Sequence, residues 1–240
     1  MAADDTGQGA LIVMDLERVW AVIPAYNTAP YIADVIQATS MHLPLSRIIV
    51  VDDGSNDGSG EEARKAGAFV LSHPRNFGKG EALKSGYKYA LDKGAEWIVS
   101  LDSDMQHDPA SLSDFFTAAS GGEADLIIGK RRITGSKMPL DRRLSNWTSS
   151  ALLSLVVGQR LFDIQCGYRM VRGASLAGVE CRSNRYDFEI ELLLRLIERG
   201  ARIGWVVVPT RYSGEPSSIH RVGDTLRFLK WVIRYLFRSL

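Results

Sequence analysis

Apolar residues follow two rhythms along this chain. Short continuous apolar runs, rich in β-branched side chains, occur at Val19–Ile23, Arg47–Val51, Phe69–Ser72, Ile98–Leu101, Asp125–Gly129 and Ile203–Val208. Runs of this length bounded by polar turns predict buried strands. Between them the spacing changes to three and four residues. Tyr31, Ile32, Val35 and Ile36 mark a helix over Pro30–Met41, and Leu83, Tyr87, Ala90 and Leu91 mark another over Lys79–Lys93. Ser59–Ala66 and Pro109–Ala119 predict two more. Strands separated by single helices imply an α/β fold: a mostly parallel central sheet, right-handed crossovers and helices on its faces. The second half is less regular. Arg142–Leu161 reads as a helix, nearly apolar all round over Ala151–Val157, and Asp163–Arg169 as a polar loop. Tyr186–Arg199 is a strong helix ended by Gly200, and Arg211–His220 is a loop rich in Gly, Pro and Ser. Val222–Leu240 is amphipathic. The expected organisation is a flexible tail over 1–16, one α/β domain over 17–220, and a surface helix over 221–240.

Three predicted strands end in unusual polar residues: Pro24-Ala25-Tyr26-Asn27, Asp52-Asp53-Gly54-Ser55 and Asp102-Ser103-Asp104. In a parallel sheet these ends share one edge, where open α/β folds bind ligands. Asp102 and Asp104 lie two apart after a buried strand, and Asp108-Pro109 then supplies an N-cap and a first helical residue. Carboxylates at this spacing can reach one hard divalent ion, and Gln106 offers a neutral oxygen nearby. A solvated acidic turn is the plainer alternative for an isolated Asp-x-Asp. No Gly-x-Gly-x-x-Gly follows the first strand, which argues against a common dinucleotide fold. Asn76-Phe77-Gly78-Lys79-Gly80 lacks the spacing of a P-loop and reads as helix-start chemistry.

Charge adds a direction. The net charge is +1, so no global field points to nucleic acid. Cations are concentrated late, however: Lys130, Arg131, Arg132, Lys137, Arg142 and Arg143 stand against Asp141, and Arg221, Arg227, Lys230, Arg234 and Arg238 against Asp224. A basic second half suggests an anionic partner, although a solvated loop would also account for 130–143. Cys166 and Cys181 have no metal-binding spacing, and a reducing compartment is expected. No apolar run reaches the roughly 20 residues of a spanning helix.

Taken together, Val22–Asn27, Ile49–Asp57 and Leu101–His107 resemble the signature of family 2 glycosyltransferases. Gly129-Lys130-Arg131, Asp163–Arg169 and Gly214-Glu215-Pro216-Ser217-Ser218 resemble the dolichyl-phosphate mannose synthase branch, which glycosylates polyprenyl phosphates. The resemblance covers about residues 18–225. It implies a GT-A fold with a Rossmann-like nucleotide-binding half, an inverting mechanism, a GDP- or UDP-linked sugar donor, a polyprenyl phosphate acceptor, and Mg²⁺ or Mn²⁺. By the same resemblance Asp102, Asp104 and Gln106 hold the metal and donor diphosphate. Pro24, Ala25, Tyr26, Asn27 and Asp53 frame the nucleotide. Arg131 and Arg169 handle sugar and acceptor phosphate, and Arg211 clamps the diphosphate. The chain departs from the pattern at Thr28, where an acidic residue is usual, and in Pro216–His220, where Ser-Lys is usual after Gly-Glu.

Elementary chemistry agrees with a phosphate acceptor. Departure of a nucleoside diphosphate needs its charge neutralised. A hydroxyl acceptor also needs a general base, whereas a phosphate arrives anionic and needs cations. Asp187, Glu189 and Glu191 are base candidates, with capping or pairing to Arg185 and Arg195 equally compatible. A glycosyltransferase using a sugar or protein hydroxyl is the main alternative. A sugar-1-phosphate nucleotidyltransferase would carry a Gly-rich basic loop after its first strand, and Pro24–Thr28 is not one. The intact Asp-x-Asp argues against an inactive binding module. In Val222–Leu240 the apolar positions Val222, Leu226, Leu229, Ile233, Leu236 and Leu240 share a face, with Arg227, Lys230, Arg234 and Arg238 on another. This pattern predicts peripheral attachment to the cytoplasmic face of a membrane, with a helix packed on the catalytic domain or a dimer contact as the alternatives.

Overall fold

Strand β1 (Val19–Ala25) is buried along its whole length and anchors the centre of the sheet. The computed structural model of the chain describes residues 14–132, 140–209, 230–235 and 237, with 140–142 as backbone alone. Around β1 stand β2 (Ile48–Asp52), β3 (Phe69–Ser72), β4 (Trp97–Ser100), β5 (Leu126–Arg131), β6 (Arg169–Arg172) and β7 (Ile203–Val208). They form one seven-stranded sheet in the order β3-β2-β1-β4-β6-β5-β7. Strands β1 to β4 pair in parallel, as their continuous apolar runs predict. Helices α1 (Ala29–Ser40), α2 (Ser59–Lys65), α3 (Lys79–Asp92) and α4 (Leu112–Ser120) alternate with the strands. Close packing of α3 on β1 and β2 depends on Gly86, where a Cβ would lie 2.3 Å from Val22 Cγ1.

Strand β6 departs from expectation. It runs antiparallel between β4 and β5, pairing Ser100 with Arg169 and Ile128 with Arg169. The sequence offers four residues with arginine at each end, too short and too polar at its ends to read as a buried strand. Both arginines are accommodated by partners rather than by solvent. Arg172 lies over the Trp97 ring at 4.6 Å and reaches Asp125 at 3.6 Å. The reversal matters for the site. Because β6 enters at the edge where β4 and β5 end, residues 163–168 arrive beside Asp102 and Arg131.

Helix α5 (Leu140–Val157) leads toward that segment, and α6 (Phe188–Glu198) follows β6. Helix α6 buries Phe188, Leu192, Leu193 and Leu196 in the core. Residues 1–13, the predicted loop 211–220 and most of the predicted C-terminal helix lie outside the described residues. Within 230–237, Trp231 and Val232 are buried, whereas Ile233 and Phe237 are exposed at 52% and 73%.

Candidate active site

The ends of β1, β2 and β4 do share one edge: Ala25 pairs with Asp52, and Val22 with Ser100. At the β1 end, Pro24 and Ala25 are buried in the strand and Tyr26 is exposed at 48%. Asn27 has a φ of 53°. Its Oδ1 accepts from Asn56 N–H at 3.0 Å, and its own N–H donates to Ser55 Oγ at 3.0 Å. This exchange ties the β1–α1 turn to the β2–α2 turn. Beside Thr28, Asp57 Oδ2 accepts Ala29 N–H at 2.9 Å across the turn. Burial works against the Asp57 charge, but hydrogen bonds from Ser59 and Ala29 outweigh it and lower the pKa.

Asp53 differs from its expected role. Its side chain is 3% exposed, and both oxygens are engaged. Oδ1 accepts from His73 Nδ1 at 2.7 Å and Phe77 N–H at 3.0 Å, and Oδ2 from Gly78 N–H at 2.7 Å. Rather than offering a free carboxylate to a nucleotide, Asp53 holds the loop 73–78 that delivers Lys79.

Lys79 is the residue that sequence reasoning left unassigned. The helix start was read correctly, since Gly78 precedes α3 with a φ of 102°. The ammonium, however, turns into the site. Lys79 Nζ lies 2.6 Å from Asp102 Oδ1 and 3.2 Å from Glu189 Oε1. Burial opposes the Lys79 charge, but the two carboxylates outweigh it and raise its pKa. Burial likewise opposes the Asp102 charge, and Lys79, the stronger influence in sum with His107, holds that carboxyl down to about 2. Gly167 makes this cluster possible: a Cβ there would sit 2.8 Å from both Asp102 Oδ2 and Lys79 Nζ.

The Asp-x-Asp loop is braced from beneath. His107 is 5% exposed, and its Nδ1 accepts Asp102 N–H at 3.4 Å. Burial pushes its pKa down to about 4, so the ring is neutral at pH 7. Nε2 then carries the proton and faces Cys166 Sγ at 3.8 Å. Burial drives the Cys166 thiol up to about 12, which makes it an inert packing group. Met105 sits at φ 59°, a left-handed turn that costs about 1–2 kcal/mol in a non-glycine residue. Asp104 Oδ1 accepts Gln106 N–H at 3.0 Å. Asp108 caps the next turn by accepting Ala110 N–H at 3.1 Å, as predicted.

The two arginines of the predicted site part company. Arg131 stands at the end of β5, where Nε and Nη2 each donate to Asp163 at 2.8 Å. Its side chain is 16% exposed. Arg169, expected to handle a phosphate, is 1% exposed. Its guanidinium donates to the carbonyls of Cys166, Glu189 and Ile164 at 2.8, 2.6 and 2.5 Å. Buried and bonded through all three nitrogens to backbone carbonyls, Arg169 is a brace joining the 163–169 segment to α6. Of the base candidates, Glu189 is paired with Lys79. Glu191 is fully buried, accepts Arg182 and Ser183 N–H at 2.9 and 2.7 Å, and meets Arg195 at 3.5 Å. Asp187 stands at the start of α6 with no side-chain cap bond. Arg211 lies outside the described residues.

No group of three or more His, Cys, Asp or Glu side chains could hold a metal ion among the described residues. Asp102 and Asp104 with Gln106 are nonetheless hard oxygen donors, and Gly167 leaves space beside Asp102 Oδ2 that a side chain would fill. Such a partial donor set suits a hard cation whose remaining ligands are phosphate oxygens.

An α/β sheet with this Asp-x-Asp edge defines a GT-A glycosyltransferase. The sequence profile described as "Glycosyl transferase family 2" matches residues 20–178, and the chain belongs to that family. It is 32% identical over 206 residues to an undecaprenyl-phosphate mannosyltransferase of Micrococcus luteus, covering 81% of this chain and 83% of the relative. It is 28% identical to a polyprenol monophosphomannose synthase of Mycolicibacterium smegmatis, covering 92% and 87%. The fold is similar to the glucosyl-3-phosphoglycerate synthase of Mycobacterium tuberculosis crystallised with Mn²⁺ and UDP-glucose. The TM-score is 0.71 at 23% identity, over 92% of this chain and 78% of that one.

Proposed function

We propose that this glycosyltransferase moves a hexose, of mannose or glucose type, from a GDP- or UDP-linked donor to a polyprenyl phosphate, with inversion and with Mg²⁺ or Mn²⁺. The observation that carries the reading is the state of the carboxylates around the edge. Asp53, Asp163, Glu189 and Glu191 are each engaged by N–H groups or cations, and of the base candidates only Asp187 at the start of α6 has no capping bond. A hydroxyl acceptor needs an available base there, and a phosphate acceptor does not. The acceptor phosphate oxygen bonds to the sugar's anomeric carbon as the bond to the donor diphosphate breaks, and the diphosphate leaves with the electron pair. No proton has to move. A divalent ion, when bound, would neutralise the departing diphosphate. Asp102, Asp104 and Gln106 would hold it, with Arg131 placed near by Asp163. The two bacterial relatives, both named for polyprenyl phosphate mannosylation, support the acceptor class.

Peripheral attachment to the cytoplasmic face of a membrane belongs to the same reading. Among the described residues no helix is long and apolar enough to cross a membrane. Helix α5 nevertheless exposes Leu144, Trp147 and Leu155, at 61%, 66% and 82%. At 100° per residue these fall on one side of the helix. Exposed apolar and aromatic side chains on one helix side are the kind of surface that inserts among lipid headgroups. Trp147→Glu with Leu155→Glu should abolish flotation on anionic liposomes, and unchanged flotation removes α5 from the contact.

The assay for transfer uses radiolabelled GDP-mannose, UDP-glucose and UDP-N-acetylglucosamine with a short polyprenyl phosphate and its dephosphorylated alcohol. Organic-phase label with the phosphate and not the alcohol is expected. Equal labelling of the alcohol contradicts the phosphate acceptor.

A further inference from the structure

The site carries a cation of its own. Lys79 is 16% exposed, touches Asp102 and Glu189, and lies over the Tyr186 ring at 5.6 Å. Several features of the chain conspire to put it there. Gly80 lets α3 press on α6, since a Cβ would lie 2.6 Å from Phe188 Cβ. Gly78 clears Asn184 O, and Gly167 clears the ammonium itself. Asp53 fixes the loop before it.

An ammonium on Asp102 Oδ1 and a divalent cation on that oxygen exclude each other by charge and by space. While Lys79 is in place, the acidic loop has lost much of its attraction for a free metal ion. A nucleoside diphosphate brings negative charge and phosphate oxygens, which shift the balance toward the divalent ion. Glu189, with its side chain 8% exposed, gives Lys79 a second carboxylate to hold when it leaves Asp102.

We propose that Lys79 is a resident counter-cation that keeps a divalent ion off Asp102 until the nucleoside diphosphate arrives, so that metal and donor load together. The proposal rests on the donor reading above.

Titration of Mn²⁺ into the full chain, followed by the electron paramagnetic resonance of free Mn²⁺, tests it without turnover. Wild type should bind Mn²⁺ weakly alone and about ten-fold more tightly with GDP or UDP. Lys79→Met should bind Mn²⁺ about ten-fold more tightly than wild type without nucleotide. Lys79→Met with Glu189→Gln should do the same. The double variant removes the Glu189 charge together with the ammonium and so keeps the net charge, which separates the freeing of Asp102 from a change of overall field. Equal Mn²⁺ affinity of nucleotide-free wild type and the folded double variant overturns the gate. If neither GDP nor UDP changes Mn²⁺ binding in any form, the donor reading itself fails.

Discussion

The two halves of the sheet solve different problems. From β3 to β4 every strand is parallel, the side chains are apolar, and polar chemistry begins only where the strands end. Beyond β4 a single reversed strand, β6, is inserted before β5 and β7, and buried polar groups hold the architecture. Arg169 braces three carbonyls, Glu191 collects two N–H groups, and Asp163 clamps Arg131. The first half provides a rigid edge bearing the acidic loop. The second brings cations and a shaped segment against it. In the first half the edge bears the proposed metal ligands Asp102 and Asp104 beside Asp53, which holds the loop 73–78. In the second half the charged residues Arg169 and Glu191 are bonded to the backbone.

Substitution can break that contrast, and the largest effect belongs to the first half. Asp104→Asn should lower transfer by about 10²–10³-fold, the scale of losing one electrostatic stabiliser, while melting as wild type does. Near-normal turnover at saturating Mn²⁺ or Mg²⁺ removes Asp104 from the site. Arg169→Met should do the opposite. It leaves buried carbonyls without a donor and should cost about 3 kcal/mol by chemical denaturation. A stable variant defective only in acceptor use would erase the distinction between the halves.

A smaller effect sharpens the contrast through pH. His107 is held at about 4 when folded, below the ordinary value of 6.5. Between those values the unfolded chain binds the extra proton, so folding stability should decline as pH falls through that window. His107→Phe keeps the stacking on Tyr168, whose ring lies 5.3 Å away, and should flatten the decline. Identical pH profiles for the two proteins would show that this histidine does not remain neutral.

Legibility in the sequence follows the apolar runs rather than the halves. Continuous runs are a strong signal, so β1, β2, β3, β4, β5, β7 and the shared edge can be predicted from the pattern alone. The Asp-x-Asp loop, its Asp108 cap and the helix after it follow from the same reading. Strand β6 does not, because four residues beginning and ending in arginine carry no strand rhythm. The burial of Arg169 depends on the carbonyls of Ile164 and Cys166 just before it and of Glu189 on α6. Arg169 was misassigned for the same reason, since a motif arginine looks alike whether it binds a ligand or the backbone. Lys79 was legible as part of a helix start but not as a site residue. Its place depends on contacts with 102, 167 and 189, all remote in sequence. The tight run Gly78-Lys79-Gly80 and the glycine at 167 were the available hints, because both mark close approach.

The central claim is that transfer needs no general base. Asp187, at the start of α6 beside Tyr186 and Glu189, is the base candidate with no capping bond of its own. The most direct measurement is the rate of glycosyl transfer to polyprenyl phosphate by Asp187→Asn, with the donor that the wild type uses. A phosphate acceptor predicts a rate within about three-fold of wild type, because the attacking oxygen carries no proton to remove. A loss of about 10²-fold or more in a stably folded variant is the scale of a missing general base and would contradict the account.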